Sequence, residues 1–567
     1  MPVVKITLEK MSLLLGKAIT IRQLADAVPW IGVEIEEEGE DWIRIEYNPN
    51  RPDFSSQQGV ARALRGLQEI EIGLPKYSVN KGSISLIIDQ SVKEVRPYVV
   101  GGVCRNIRLS NLDIEELMAA QEDIHWAIGR DRRKASIGLH NLDAVKPPFR
   151  YKGVAPKSVK FTPLGGDRPL DLNEIVSTHP KGIAYKHLVE GFSKFPIIVD
   201  KDNNVLSFPP IINGTATQIT EATRNLFIDV TGTTPTSINN ALNLIVTQLA
   251  DMGGTIESIT ITEGGRNKTT PVLNPTEFSI SSAYINAVLG LRLSQDEVAL
   301  SLKKARFDAT KDGEEKLKVL VPPYRFDILH QVDLAEEVAI GYGYSKIKPK
   351  LPSCLTIGKT HPLRKLESLS RRLMIGLGYQ EVMNFTLTNE TEHYQFMRTT
   401  GTPLVRLANP VSSEYTILRE TLLPGLVRTL RANKHEKLPQ RVFEVGDVIR
   451  EDQGSETSVG QQLSCCAVTI HPTANFAEIK SAFMAFAGGF GKIASQISFV
   501  TIEHPSFIKG RAAGTVIHDK RIGVLGELHP EVIRNFELEY PMSAFEVDIE
   551  QLHTSEQMTP LSLKAVL

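Results

Sequence analysis

Four carboxylates, Asp327, Asp333, Glu336 and Glu337, crowd the stretch Val321-Pro-Pro-Tyr-Arg-Phe-Asp-Ile-Leu-His-Gln-Val-Asp-Leu-Ala-Glu-Glu-Val-Ala-Ile-Gly-Tyr-Gly-Tyr344. The last three fall at i, i+3 and i+4, which puts them on one face of a helix. Carboxylates held together repel one another unless a cation neutralises them. Hard oxygen donors suit Mg²⁺, which takes one or two carboxylates and keeps several waters. A solvated acidic face satisfied by Arg325 and nearby lysines is the alternative, and the residue pattern alone leaves both open.

The elements that must position these groups follow from the same stretch. A strand over Leu317 to Val321 stops at Pro322 and Pro323, which cannot continue a ladder. An amphipathic helix then runs from about His330 to Gly341, with Asp327 standing where a helix N-terminal signal is expected. Val332, Ala335, Val338 and Ala339 supply its apolar side.

A second group of candidates is polar rather than acidic. The region of about 90 to 265 reads as mixed α/β, with strands at Tyr98–Val103, Ala135–Leu139 and Phe195–Val199 and a hairpin turning on Lys201 to Asn204. It continues through Pro209-Pro-Ile-Ile-Asn-Gly214 to Asn225-Leu-Phe-Ile-Asp-Val-Thr-Gly-Thr233, and a helix burying Ala241, Leu242, Leu244, Ile245 and Leu249 closes it. Asn213, Asp229 and Thr231 are placed at strand ends beside Gly and Pro turns, where pockets are commonly built. The competing reading is turn chemistry, since Asn and Asp bond their own backbone. No Cys, Ser-His or metal constellation is evident there to supply a nucleophile.

The chain repeats itself. A shift of 274 residues carries Leu15, Gly16 and Thr20 onto Leu289, Gly290 and Ser294, and carries Arg51 and Asp53 onto Arg325 and Asp327. Segments 5–67 and 279–341 therefore read as two copies of one helix–helix–strand–strand–helix unit. Thr20 with Gln23 opens the second helix of the first copy, and Gly16 ends the helix before it. Asp333, Glu336 and Glu337 map onto Gly59, Arg62 and Ala63, so the acidic face belongs to the second copy alone.

The last 200 or so residues read as a separate α/β domain. A helix from Leu363 to Leu377, stopped by Gly378, feeds a strand over Glu381–Leu387. A later helix carries Arg428, Arg431, Lys434 and Lys437 as a basic stripe that could meet RNA phosphates or simply face solvent. Strands at Arg441–Val445, Ser464–Ile470, Arg521–Leu525 and Ser543–Val547 suggest one large antiparallel sheet.

A chain of 567 residues exceeds one core and implies about three to five domains. With 41% hydrophobic and 23% charged residues it has an ordinary soluble composition. No apolar run reaches the ~18 residues that span a bilayer. Cys104, Cys354, Cys465 and Cys466 show no paired C-x-x-C spacing, so a reducing cytoplasm without zinc or disulfides fits best. The net charge of −2 argues against a uniformly basic nucleic-acid coat, though local patches remain possible.

Several stretches together resemble the β subunit of phenylalanyl-tRNA synthetase in its archaeal and eukaryotic form. They are Asn50-Arg-Pro-Asp53, Leu206-Ser-Phe-Pro-Pro-Ile-Ile-Asn213, Asn225 to Thr233, Pro323-Tyr-Arg-Phe-Asp-Ile-Leu-His330, Asp333 to Tyr344, Asn409-Pro-Val-Ser-Ser-Glu414 and Leu418-Arg-Glu-Thr-Leu-Leu-Pro-Gly425, in the family's order. The resemblance implies a multidomain α+β and α/β fold: an N-terminal repeat unit over 1–85, an editing domain over 90–265, a second repeat unit over 275–350, and a class II synthetase-like domain over 358–567 without catalytic motifs. It implies an α2β2 tetramer with the synthetase α subunit, which carries the ATP-dependent aminoacylation of tRNA(Phe) with phenylalanine. Arg441-Val-Phe-Glu444 lacks the Arg-x-Glu loop that would bind ATP, and Gly526-Glu-Leu-His-Pro-Glu531 lacks the arginine expected of the family's last motif.

The resemblance further implies hydrolysis of tyrosine wrongly attached to the tRNA. An apolar pocket cannot strongly reject an isostere that merely adds a hydroxyl, so a second, polar site is needed. The matched motifs put that pocket at Ser207, Pro209, Asn213, Asp229 and Thr231, with water activated by the tRNA's own hydroxyl or by a polar side chain. The same match assigns Mg²⁺, shared with the α subunit, to Asp327, Asp333, Glu336 and Glu337. The alternative is a non-enzymatic adaptor whose repeated units bind RNA or protein; a DNA-binding regulator is weaker, because neither second helix is basic on its exposed face.

Overall fold

The computed structural model describes residues 2–353, 356–401 and 404–552, the side chains of 492–494 excepted, so Cys354 lies outside the described residues. The chain divides into two compact units, Met1–Leu351 and Pro352–Leu567. No described helix is long and apolar enough to cross a membrane.

Both repeats are present in the first unit, and each begins with a strand that the sequence pattern did not announce. The first copy runs strand Val3–Thr7, helices Leu8–Leu15 and Ile21–Ala27, strands Glu34–Glu38 and Trp42–Glu46, and helix Gln57–Leu67. The second runs Thr276–Ser281, Ser282–Leu289, Gln295–Lys304, Asp308–Asp312, Lys316–Val321 and Gln331–Tyr342. In each, the third strand lies between the other two. The local chemistry repeats as well. Gly16 and Gly290 end their helices in the left-handed conformation, at φ 69° and 66°. That conformation costs glycine nothing, because it has no Cβ to clash. Thr20 with Gln23 and Ser294 with Glu297 both form capping boxes.

Between the copies lies a large mixed sheet. Its spatial order is Ile212–Asn213, Val205–Phe208, Phe195–Val199, Phe149–Val154, Ser85–Ile88, Thr255–Glu263, Tyr98–Arg105, Leu226–Gly232 and Ala135–Asn141. The sheet thus draws in Ser85–Ile88, ahead of the expected start at 90. Helix Pro235–Asp251 buries Ala241, Leu242, Ile245 and Leu249 against it, together with Phe149 and Phe227. Each fully buried side chain of this size contributes about 1.5–3 kcal/mol, which holds the central strands rigid enough to present polar groups between them.

The second unit is built on a seven-stranded sheet in the order Gln380–Glu381, Gln440–Glu451, Val459–Ile470, Met542–Asp548, Lys520–Leu528, Phe507–Ile517, Ser498–Thr501. Its first pair is parallel and the rest are antiparallel. Helix Phe476–Gly488 packs Phe483 and Phe486 against Phe545.

Two expectations fail here. The strand expected over Glu381–Leu387 is instead two separate pairs of residues, Gln380–Glu381 in the large sheet and Leu387–Thr388 with Ile417–Leu418 in another. The basic stripe does not exist as one helix face. Helix Leu423–Ala432 ends before Lys434 and Lys437, Arg428 pairs with Glu392, and Arg431 pairs with Glu537. Cys104, Cys465 and Cys466 are buried thiols, and burial pushes the Cys104 thiol up to about 12, so it packs as a small apolar group.

Candidate functional site

The strand Leu226–Gly232 pairs on one side with Tyr98–Arg105 and on the other with Ala135–Asn141. Alternate residues of a strand share a face, so Phe227, Asp229 and Thr231 lie beside His140, Gly138 and Ser136. Asp229 is therefore at the centre of a buried strand rather than at its end, while Thr231 stands one residue from that end with its hydroxyl bonded to Arg96. Asp229 is 1% exposed and His140 0%. Oδ2 of Asp229 lies 2.8 Å from Nε2 of His140, whose Nδ1 lies 2.8 Å from Oγ1 of Thr217.

Gly138 is what makes this placement possible. A Cβ there would fall 2.2 Å from Asp229 Oδ2 and 2.8 Å from His140 Nε2. A buried carboxylate is tolerated only if it is hydrogen-bonded. His140 supplies that bond, so with Asp229 ionised Nε2 is the donor.

A cavity of ≈200 Å³ opens beside this carboxylate. Ser207, Pro209, Asn213 and Asp229 line it together, while Thr231 does not. Ser207 Oγ is buried and has no hydrogen-bond partner among the described residues. Asn213 Nδ2 donates to the carbonyl of Leu139 at 3.3 Å, tying the loop to the strand that carries His140. Arg132 holds the opposite end of that loop, donating to the carbonyls of Pro210 and Ile211 at 3.1 and 3.0 Å and to Glu122 at 2.6 Å.

Helix Asn111–Ala127 closes another wall, fixed by two side chains that straddle one residue. Gln121 donates to the carbonyl of Ile137 at 2.7 Å, and His125 Nε2 accepts the N–H of Ile137 at 2.8 Å. The proton of neutral His125 therefore sits on Nδ1, 3.5 Å from the Glu122 carboxylate. Burial pushes the His125 pKa down and favours that neutral form.

Thr231 lies one layer behind the cavity. Its hydroxyl and carbonyl accept from Arg96 at 2.9 and 2.7 Å, and Arg96 also donates to Ser136, a cavity residue, at 3.2 Å. Burial pulls Arg96 down to about 10, which still leaves it charged at neutral pH. Thr231, Arg96 and Ser136 thus form one buried network, with the Ser136 and Thr231 hydroxyls 3.1 Å apart.

Sequence reasoning missed His140, Gln121, His125 and Arg96. His140 alternates with Ser136 and Gly138 along an apolar strand, and that polar alternation was the available signal. No side chain in the cavity has the geometry of an activated nucleophile. Thr217 is buried behind His140, and Ser207 has no base bonded to it. The arrangement can instead accept hydrogen bonds from a small polar group and exclude bulk water around it.

The acidic candidates are disposed differently. Asp327 receives Arg325 Nε and Nη2, both at 2.8 Å, and Arg325 Nη2 also bonds Glu337. Arg51 of the first repeat stands 3.8 Å from Glu337 and makes the equivalent two-point pair with Asp53 at 2.9 Å. Asp333 Oδ2 accepts the N–H groups of Leu329 and His330, each at 2.7 Å. Asp333 therefore does the helix-opening work expected of Asp327. Glu337 is buried and Glu336 exposed, so the two point to different surroundings. Among the described residues no group of three or more His, Cys, Asp or Glu is arranged to hold a metal. The four-carboxylate set does not fit a Mg²⁺ cage, because Arg325 already neutralises two of its members.

The intervals around these groups match known families. Residues 114–246 match the B3/4 domain, 278–344 the tRNA synthetase B5 domain, and 347–549 the phenylalanyl tRNA synthetase beta chain CLM domain. The chain is 43% identical over 552 residues to the phenylalanine–tRNA ligase beta subunit of Archaeoglobus fulgidus, covering 97% of this chain and 98% of that one. It is 42% identical over 550 residues to the protein of the same name from Methanothrix thermoacetophila, covering 97% and 100%. The crystal structure of an N-terminal fragment of the phenylalanyl-tRNA synthetase beta subunit from Pyrococcus horikoshii aligns with a TM-score of 0.58 at 36% identity, covering 60% of this chain and 100% of the fragment.

Proposed function

This chain belongs to the phenylalanine–tRNA ligase beta-subunit family, and from that membership we propose that its B3/4 interval hydrolyses tyrosine wrongly joined to tRNA(Phe). The protein is a subunit of an aminoacyl-tRNA synthetase, a ligase of protein biosynthesis, and acts with an alpha partner and tRNA. The observation that carries the editing reading is the buried Asp229 carboxylate on the cavity wall, fixed through Oδ2 by His140.

Tyrosine differs from phenylalanine by one phenolic hydroxyl, a donor that Asp229 can accept. A site built to bond a substrate hydroxyl rejects the analogue lacking it by about 10⁴–10⁵-fold, because its polar groups are then left unpaired. Ser207 Oγ and Asn213 add further polar contacts in the same cavity. Arg132, Gln121 and His125 hold the loop and strand that carry these groups, so the acceptor is preorganised before the ligand arrives. With no activated nucleophile among the cavity side chains, the attacking group is water, activated by the tRNA's terminal hydroxyl.

Aminoacylation, with its ATP, belongs in this reading to the alpha chain, in an α2β2 enzyme of the cytoplasm. The second unit then serves as a class II-like partner that packs rather than reacts. Its Arg441 is paired with Glu478 and its Glu444 with Arg419, so neither is available to a triphosphate. Mg²⁺ accompanies ATP in the assembled enzyme. Of the four acidic candidates, Asp333 and Glu336 are left once Arg325 has paired with Asp327 and Glu337, and donors from the partner or from water would have to complete such a site.

The test is deacylation of Tyr-tRNA(Phe) by the assembled enzyme. Asp229→Ala should abolish hydrolysis while phenylalanine charging continues. An unchanged hydrolysis rate would favour the adaptor reading.

A further inference from the structure

Six charged side chains line one cavity of ≈500 Å³ in the second unit: Glu420, Glu546 and Asp548, with Arg450, Lys520 and Arg521. None of the six is ion-paired among the described residues. Elsewhere in the same unit buried charges find each other, as in Arg419 with Glu444, and Arg364 and Arg371 with Glu367. Opposite charges that share a cavity without meeting leave room between them for something that meets both.

The floor is one face of the large sheet. Ser464 stands opposite Asp548, and Cys466 opposite Glu546, so Asp548 and Glu546 share a face with Gln462 and Ser464. The other face of the same strands carries Leu463, Cys465, Phe545 and Val547 in the apolar core. A sheet face in a domain interior is ordinarily apolar too, since buried polar groups cost free energy unless they are satisfied. This face is apolar at Val468, Ile470, Met542 and Ala544 but turns polar at Gln462, Ser464, Glu546 and Asp548, and that polar end opens on a space.

Neutral partners fix the geometry. Glu546 accepts the N–H groups of Leu422 and Leu423 at 2.9 and 3.1 Å. Glu420 accepts Tyr394 Oη at 2.6 Å and the N–H of Leu404 at 3.1 Å. Arg450 donates Nε to Gln462 at 3.0 Å and Nη1 to the carbonyl of Glu420. Asp548 accepts the N–H of Glu550 at 2.9 Å. Burial pushes both the Glu546 and the Asp548 carboxyls up, so each would gain from a cation beside it. Lys520 and Arg521 follow the turn at His518 and Asp519 and are exposed, and their side chains make no hydrogen bond or ion pair among the described residues. Met397 and Phe507 add apolar surface.

We propose that this cavity binds a small zwitterion of the amino-acid class, its ammonium group toward Glu546 and Asp548 and its carboxylate toward Arg450 and Arg521. A purely anionic ligand would face the two floor carboxylates, and a purely cationic one would face three positive side chains. The volume lies within the about 300–1,000 Å³ of small-molecule sites. Nothing in this assignment depends on the B3/4 cavity, which lies in the other unit.

The experiment is equilibrium dialysis of the full chain against each of the common amino acids, radiolabelled in turn. The expected result is saturable binding of at least one of them, weakened at least tenfold by Arg521→Glu and retained in Asp229→Ala. Arg521 is exposed and unpaired, so its substitution leaves the fold intact, which an unchanged circular dichroism melt would verify; Lys520→Glu is the second rim variant. Absence of saturable binding at millimolar amino acid overturns the proposal. So does binding that Arg521→Glu and Lys520→Glu leave unaltered, binding lost in Asp229→Ala, or binding of ATP or inorganic phosphate with no amino acid bound.

Discussion

Asp229 Oδ2 and His140 Nε2 meet at 2.8 Å across two neighbouring strands, above the one residue between them that has no side chain. That relationship makes Gly138 a structural requirement of the site. A methyl group at 138 would lie 2.2 Å from the carboxylate oxygen and cannot coexist with it. Gly138→Ala should therefore displace Asp229, cost about 1–3 kcal/mol of stability through overpacking, and depress Tyr-tRNA(Phe) hydrolysis more than phenylalanine charging. Comparing the two rates in one preparation checks it.

The acidic helix separates two explanations by stability. Glu337 is 5% exposed and bonded to Arg325. Glu337→Ala leaves a buried guanidinium with one carboxylate fewer, and should cost about 3 kcal/mol, the low end for a broken buried pair because Asp327 stays in place. Glu336 is exposed, and Glu336→Ala should stay within about 0.5 kcal/mol. Urea unfolding with and without Mg²⁺ measures both. A Glu337→Ala cost that vanishes when Mg²⁺ is withheld would return the residue to the metal.

His393 gives the second unit an acid limit. Its Nε2 accepts the N–H of Glu420 at 3.2 Å, and burial lowers its pKa to about 4. The unfolded chain takes up the proton near the ordinary value of about 6.5. Stability is therefore fully present above that value and falls as pH drops from about 6.5 towards 4, by up to about 3 kcal/mol. Unfolding monitored across that window should show the loss, and His393→Gln should flatten it.

How far the sequence carried depended on how local each signal was. Gly16 and Gly290, and the boxes at Thr20 and Ser294, are set by residues within one turn, and they made the repeat legible. The opening strands Val3–Thr7 and Thr276–Ser281 gain their hydrogen bonds from strands about 40 residues later, which no local pattern reports. Of the cavity residues, Asn213 and Asp229 were legible beside Gly and Pro turns, and Ser207 and Pro209 came from motif resemblance. His140 escaped because its partner is 89 residues away. The acidic helix was legible as a helix, whereas the residue pattern left the partners of its charges open. Arg325 bonds residues 2 and 12 positions ahead of it, and only the folded turn between them shows that one guanidinium serves both.

The most direct test of the central claim is single-turnover deacylation of Tyr-tRNA(Phe) and Phe-tRNA(Phe) by the assembled enzyme, wild type against Asp229→Ala. The account predicts rapid release of tyrosine, little release of phenylalanine, and loss of the tyrosine reaction by about 10²-fold or more when the acceptor is removed, as for deletion of a preorganised polar group, with charging of phenylalanine retained. Equal release of both amino acids by the wild type, or undiminished tyrosine release by Asp229→Ala, would contradict it.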